Sequence, residues 1–207
     1  MSKLTIALPK GRMGSDTWRL IQGDAQESTP FDDRLLVFDD PVHNLRYLWV
    51  KPSDVITYVT EGVADCGIVG EDVLEEQSPE LYRLLALPFG QCHLAVAGYE
   101  NTDLYPQTPL RIATKYPNVT RRYFRKKNQK ITLFYLQGSV ELAPIVGLSD
   151  VIVDIVETGS TLKANNLTVL ETMMASQAVL VANKAKYRTK HSAMTTLVAR
   201  LKEGLRD

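Results

Sequence analysis

Val151-Ile152-Val153-Asp154-Ile155-Val156-Glu157-Thr158-Gly159-Ser160-Thr161-Leu162-Lys163 is the stretch from which the fold is read. Its β-branched first half, interrupted only by Asp154, suits a buried strand, and the Glu157 to Thr161 turn then leads into a further helical or extended segment. Glycine lets the backbone approach a ligand, and successive amides with three hydroxyls form a nest able to hold a phosphate dianion. Asp154 and Glu157 have the chemistry to hold ribose hydroxyls. The same residues also suit an ordinary Gly/Ser/Thr turn, which α/β proteins use often. No Gly-Lys-Ser/Thr follows at the Walker A spacing, and no G-x-G-x-x-G occurs anywhere in the chain.

Outward from this stretch, short apolar runs alternate with helical patterns. Leu4 to Leu8, Leu35 to Phe38, Leu45 to Val50 and Cys66 to Val69 read as strands. Val55, Ile56, Val59 and Val63 fall on one helical stripe, with Ser53 as its N-cap and Gly62 at its end. Glu71 to Gln77 reads as a short acidic helix, and Tyr82 to Leu87 and His93 to Ala97 as two strands. A second set follows: Leu110 to Ala113, Ile131 to Leu136 and Val151 to Val156 as strands, with Asn118 to Lys127 and Ser139 to Val146 as helices between them. Leu167 to Thr172 and Ala178 to Val181 then read as extended, before a last helix striped by Met194, Leu197, Val198, Leu201 and Leu205.

Strands separated by helices of this length imply parallel pairing with right-handed crossovers. The expectation is an α/β fold of two lobes of mixed, mainly parallel sheet with flanking helices. Residues 1–95 plus 178–207 are expected to form lobe I and residues 96–177 lobe II, with the site in the interlobe cleft.

The composition excludes other classes. The 207 residues carry 24 basic and 24 acidic side chains and are 44% hydrophobic, so neither a disordered polymer nor a strongly basic nucleic-acid binder is expected. No run approaches a membrane span, and Leu4 to Leu8 is too short for a signal peptide. With only Cys66 and Cys92, a reducing cytoplasm is expected, and the Asn-x-Thr triplets at Asn118 and Asn166 are chance matches.

Cations recur at strand ends. Lys10, Gly11 and Arg12 follow the first strand at once, and Arg34 and Lys51 stand beside two others. Each alone fits a solvated loop; together they suit a polyanion at the carboxyl ends of a sheet. Lys115 and the residues after it, and Gly138 to Glu141, occupy strand-to-helix junctions whose helix N-termini are further anion sites. Between Lys115 and Lys130 seven side chains are basic and none acidic, with Tyr123 and Phe124 interleaved. An amphipathic helix with a solvated basic face accounts for this better than nucleic-acid binding does.

Metal and nucleophile chemistry has little support. His43, His93 and His191 lie far apart, the two cysteines form no C-x-x-C, and no protein metal site is expected. Cys66 fits a small core residue, and Met173 and Met174 fit packing. The eight carboxylates from Asp54 to Glu80, unopposed by Lys or Arg, read mainly as solvated helix faces, with some available as a contact surface.

Taken together, the chain resembles the ATP phosphoribosyltransferases of histidine biosynthesis, in their short catalytic form. The likeness is carried by Leu4 to Arg12, Pro52-Ser53-Asp54-Val55, Gly67-Ile68-Val69-Gly70, Ala113-Thr114-Lys115-Tyr116, Gly138 to Pro144 and, most specifically, Ile152 to Asn165, in the family's order. Residues 13 to 33 carry little of it, and Lys51 stands where the family usually shows arginine.

The resemblance implies a fold like a type II periplasmic binding protein. It also implies attack of N1 of ATP's adenine on C1′ of phosphoribosyl pyrophosphate, with Mg²⁺ on the phosphates. By matching position, Glu157, Thr158, Gly159, Ser160 and Thr161 would hold the 5′-phosphate, with Asp154 near the ribose. Arg12 and Arg34 would stabilise the departing pyrophosphate, Lys10 and Lys51 would assist, and Gly11, Lys115, Gly138 and Glu141 would contact ATP. No C-terminal regulatory domain is expected. The expected partner is a regulatory subunit resembling histidyl-tRNA synthetase, joined to a catalytic homodimer within a hetero-octamer. A two-lobed solute-binding module without catalysis is the alternative from another class.

Overall fold

The computed structural model describes residues 3–23 and 34–206. These residues separate into two compact units. The first takes the described residues that fall within Met1–Leu74, Ser78–Gly90 and Gln177–Asp207, and the second Glu75–Gln77 and Gln91–Ser176.

In the first unit β1 (Leu4–Pro9) is central, parallel to β3 (Leu45–Val50) on one side and to β4 (Cys66–Gly70) on the other. The edge strand β2 (Val37–Asp40) runs antiparallel to β3. Beyond β4 lies the last part of β9 (Thr168–Asn183), antiparallel, with Cys66 opposite Ala182 and Gly70 opposite Ala178. The continuous apolar character of β1 and β4 follows from their covered position: Ile6, Ala7, Leu8, Ile68 and Val69 are all at most 1% exposed.

One face of this sheet is covered by α1 (Arg12–Gln22) and by α8 (His191–Gly204), which follows the short α7 (Lys184–Thr189). Helix α1 buries Gly14, Thr17, Trp18 and Ile21, spaced i, i+3, i+4 and i+7. Against the other face, α2 (Val55–Thr60) packs Val55, Ile56 and Val59 onto Ala7, Val69, Val179 and Val181. A 3₁₀ turn over Pro52–Asp54 precedes α2, so Ser53 is not its N-cap; the Ser53 hydroxyl donates to the Asp54 carboxylate at 2.8 Å.

The second unit has the strand order β5-β8-β6-β7. Here β6 (Leu110–Thr114) is parallel to both β7 (Ile131–Tyr135) and β8 (Val151–Val156), and β8 is antiparallel to the later part of β5 (Leu81–Gly98). Helix α4 (Pro117–Lys126) seats Phe124, wholly buried, and Val119 against Val151, Val153 and Ile112. The short α5 (Leu142–Ile145) and α6 (Ser160–Ala164) cover the opposite face through Ala143 and Leu162.

Further sequence expectations change. The extended segments on either side of Phe89-Gly90 form one strand, β5, and those on either side of Ala175 form another, β9; both run through the two units. Pairing along each strand overrides the local breaks that Pro88 and Gly90 suggest. The helix expected over 139–146 is one turn, because Ser139 takes a left-handed φ of 49° and Gly147 closes the turn at 74°.

Nor are the acids before Glu80 mainly a solvated face. Asp65 is 2% exposed and receives the Thr5 amide and the Lys190 ammonium, both at 2.7 Å. The same ammonium donates to the Lys3 carbonyl at 2.8 Å, so one buried ion pair ties the start of α8 to β1. Among the described residues no helix is long and apolar enough to cross a membrane.

Candidate active site

Strand β8 ends at Val156 and α6 begins at Ser160, so the intervening Glu157-Thr158-Gly159 must turn the chain within three residues. Gly159 does this with a φ of 73°, in the left-handed region that favours glycine. The Thr158 and Ser160 hydroxyls lie 3.0 Å apart, and the Ser160 amide reaches Thr158 Oγ1 at 3.4 Å. Two hydroxyls and the first amides of α6 thus gather at one point, as a phosphate requires.

This loop forms the wall of a cavity of about 360 Å³, lined by Lys115, Glu141, Asp154, Ile155, Val156, Leu162 and the whole Glu157 to Thr161 turn. Parallel pairing accounts for the assembly. Thr114 is opposite Val153, so Lys115 and Asp154, the next residue on each strand, come out side by side. Lys115 Nζ is 3.2 Å from Asp154 Oδ1, which also receives the Ile155 amide at 2.8 Å. Behind them Thr114, fully buried, donates to the Val153 carbonyl at 2.7 Å and accepts the Tyr116 amide at 2.8 Å, fixing where β6 ends.

The second unit therefore brings together eight of the residues singled out from the sequence: Lys115, Glu141, Asp154, Glu157, Thr158, Gly159, Ser160 and Thr161. Gly138 does not line this cavity and stands in open space. Ile155, Val156 and Leu162 supply apolar wall that no sequence pattern separates from ordinary core.

One expected anion position is already filled from within the protein. At the N-terminus of α4, the Glu76 carboxylate accepts the Asn118 amide at 3.0 Å and the Val119 amide at 2.9 Å. Glu76 belongs to α3 (Glu71–Gln77), and its side chain satisfies amides that a helix end leaves open. No local sequence pattern announces a cap supplied from so far along the chain.

The other candidates lie in the first unit. Pro9 and Val50 are register partners on β1 and β3, and the Lys10 amide donates to the Val50 carbonyl at 2.7 Å. Lys10 and Lys51 consequently leave adjacent parallel strands side by side. Gly11, with φ at 100°, turns the backbone so that Arg12 opens α1. Gly14 sits tight beneath: a Cβ there would meet the Pro9 carbonyl oxygen at 2.1 Å and the Trp49 ring at 2.6 Å. Arg34 lies in an exposed bend ahead of β2.

Among the described residues no group of three or more His, Cys, Asp or Glu side chains stands as a metal site. Cys66 is fully buried, and burial pushes its thiol well above the ordinary range.

Parallel strands with cations at their ends, and a Thr-Gly-Ser-Thr turn flanked by carboxylates, are features of the class of proteins that handle phosphorylated sugars or nucleotides. The comparisons identify the family. The family model described as ATP phosphoribosyltransferase matches residues 51–203, and the chain belongs to that family. It is 46% identical to the ATP phosphoribosyltransferase of Clostridioides difficile (strain 630) over 208 residues, covering 98% of this chain and 99% of that relative. Identity to the ATP phosphoribosyltransferase of Campylobacter curvus (strain 525.92) is 47%, with 97% of each chain covered.

Among solved structures, the ATP phosphoribosyl transferase (HisG:HisZ) complex from Thermotoga maritima contains a chain that matches with a TM-score of 0.85 and 36% identity over 98% of both chains. The periplasmic aliphatic sulphonate binding protein SsuA from Escherichia coli matches with a TM-score of 0.65 at 16% identity, over 99% of this chain and 72% of that one. That likeness concerns the fold, which is of the type II periplasmic-binding-protein kind.

Proposed function

We propose that the chain transfers the phosphoribosyl group of phosphoribosyl pyrophosphate to N1 of the adenine of ATP, giving phosphoribosyl-ATP and pyrophosphate, the first step of histidine biosynthesis. The observation that carries this reading is the Glu157 to Thr161 turn lining one cavity with Asp154, Lys115 and Glu141. Within it, the turn is assigned to the 5′-phosphate and Asp154 to the ribose hydroxyls. Lys115 and Glu141, with Gly11 and Gly138, are assigned to ATP.

Arg12 and Arg34 are assigned to the departing pyrophosphate, with Lys10 and Lys51 assisting. Charge builds on the leaving group while the ribosyl carbon becomes cationic, so fixed cations on the pyrophosphate are the main electrostatic requirement. Adenine N1 is already nucleophilic, which leaves positioning as the remaining contribution. Mg²⁺ is assigned to the substrates' phosphates, where it neutralises charge. Asp154 and Glu157, carboxylates on one cavity wall, are hard oxygen donors of the kind it accepts.

The two compact units are read as lobes I and II of a cytoplasmic catalytic subunit. Its proposed partner is a regulatory subunit resembling histidyl-tRNA synthetase, around a catalytic homodimer in a hetero-octamer. The presence of the Thermotoga maritima neighbour in a HisG:HisZ complex supports that partner. The test is to incubate the chain with ATP, phosphoribosyl pyrophosphate, Mg²⁺ and a pyrophosphatase, and to follow phosphoribosyl-ATP by mass spectrometry. Product is expected; its absence both with and without the regulatory subunit would overturn the reading.

A further inference from the structure

Helix α4 carries a second feature, away from the loop cavity. Val119, Arg122, Tyr123 and Lys126 are spaced i, i+3, i+4 and i+7 and form one stripe along the helix. With Glu75, Met173 and Met174 they line a separate cavity of about 180 Å³. Val119, Tyr123 and the two half-buried methionines make its walls apolar.

Its surroundings are cationic. Arg122 is engaged by Glu75, at 2.5 Å to the carbonyl and 3.7 Å to the carboxylate, whereas the exposed Arg125 and Lys126 have no side-chain partner among the described residues. Lys127, the next cation, is held by Glu171 and the Tyr105 hydroxyl. Lys126, which lines the methionine cavity, thus carries an uncompensated charge, and Arg125 precedes it on the helix.

We infer that this groove docks an acidic segment of another protein chain, one large apolar side chain of the segment filling the cavity and its carboxylates meeting Arg125 and Lys126. Three observations favour this occupant. Methionines adapt to apolar side chains of varied shape and recur at peptide-binding surfaces. A cavity of this size matches a single side chain, and the uncompensated charge around it complements carboxylates. A phosphate backbone is less suited, because the α4 amides that could bind one already hold Glu76. The surface is independent of the transfer reaction and of its assigned residues.

The test uses the full chain labelled with ¹³C at the methionine methyls, titrated with a synthetic peptide in which glutamates flank a central Leu-Phe pair. The Met173 and Met174 signals are expected to move while those of Met13 and Met194 stay, the buried Met194 reporting an intact fold. Replacing Leu-Phe by glycines, or combining Arg125→Glu with Lys126→Glu, is expected to weaken the titration by about tenfold or more. The charge-reversed chain should retain phosphoribosyl-ATP formation. Unmoved Met173 and Met174 signals at about 1 mM peptide would overturn the proposal. So would an equal response to the glycine peptide or to oligothymidylate, or a shift on concentrating the protein alone, which would assign the groove to a second copy.

Discussion

Lys115 Nζ stands 3.2 Å from Asp154 Oδ1, across the register that sets Thr114 against Val153. The pair joins a residue assigned to ATP with one assigned to the ribose. Asp154→Asn keeps the size of the side chain but removes both the charge that holds Lys115 and the strongest acceptor for a ribose hydroxyl. The KM for phosphoribosyl pyrophosphate is expected to rise about 10- to 100-fold, the range for a lost charged hydrogen bond, as measured by initial rates. An unchanged KM would remove Asp154 from the ribose site.

Arg12→Ala addresses the leaving group. If this guanidinium acts on charge that develops during departure of pyrophosphate, kcat falls by about 10²-fold or more while either KM changes little. Steady-state rates in both substrates separate the two parameters. An unaltered kcat would exclude Arg12 from the chemistry.

Gly14→Ala tests the support beneath Lys10 and Arg12. The added methyl would press on the Pro9 carbonyl oxygen, a backbone atom, and on the Trp49 ring, which is 7% exposed and has little room to move. Destabilisation of about 1–3 kcal/mol is expected, read as a lower midpoint in thermal unfolding followed by circular dichroism.

Acid stability follows from Glu171. Burial alone would raise its carboxyl, but hydrogen bonds from Lys127 and Tyr105 outweigh burial and hold it below the ordinary 4.5. A carboxyl depressed in the folded state stabilises above its unfolded value, and that contribution disappears as pH falls through the folded value. Denaturant unfolding should therefore show stability falling below about pH 4.5. In Glu171→Gln the fall should be shallower, with lower stability at neutral pH.

Much of the architecture was legible because its signals are local. The apolar run Val151 to Val156 is β8 to the residue, and Glu71 to Gln77 is α3. The Thr158-Gly159-Ser160 turn was legible for the same reason, since its glycine requirement and its hydroxyls are consecutive. What the sequence concealed depends on distant partners. Pro88 and Gly90 look like breaks yet lie within the continuous strand β5, and Glu76 looks like a solvated acid yet caps α4. The pairing of Lys115 with Asp154 likewise becomes visible only once β6 and β8 are neighbours.

The antiparallel pairing of Cys66 with Ala182 has a consequence for synthesis. Strand β4 leaves the ribosome long before the segment of β9 that pairs with it, and at about 5–20 residues per second the delay is on the order of ten seconds. Throughout that interval one edge of β4 lacks its eventual neighbour. An unpaired apolar edge invites pairing with other nascent chains. The newborn polypeptide therefore carries this open edge until the last part of β9 has emerged, after the whole of the second unit.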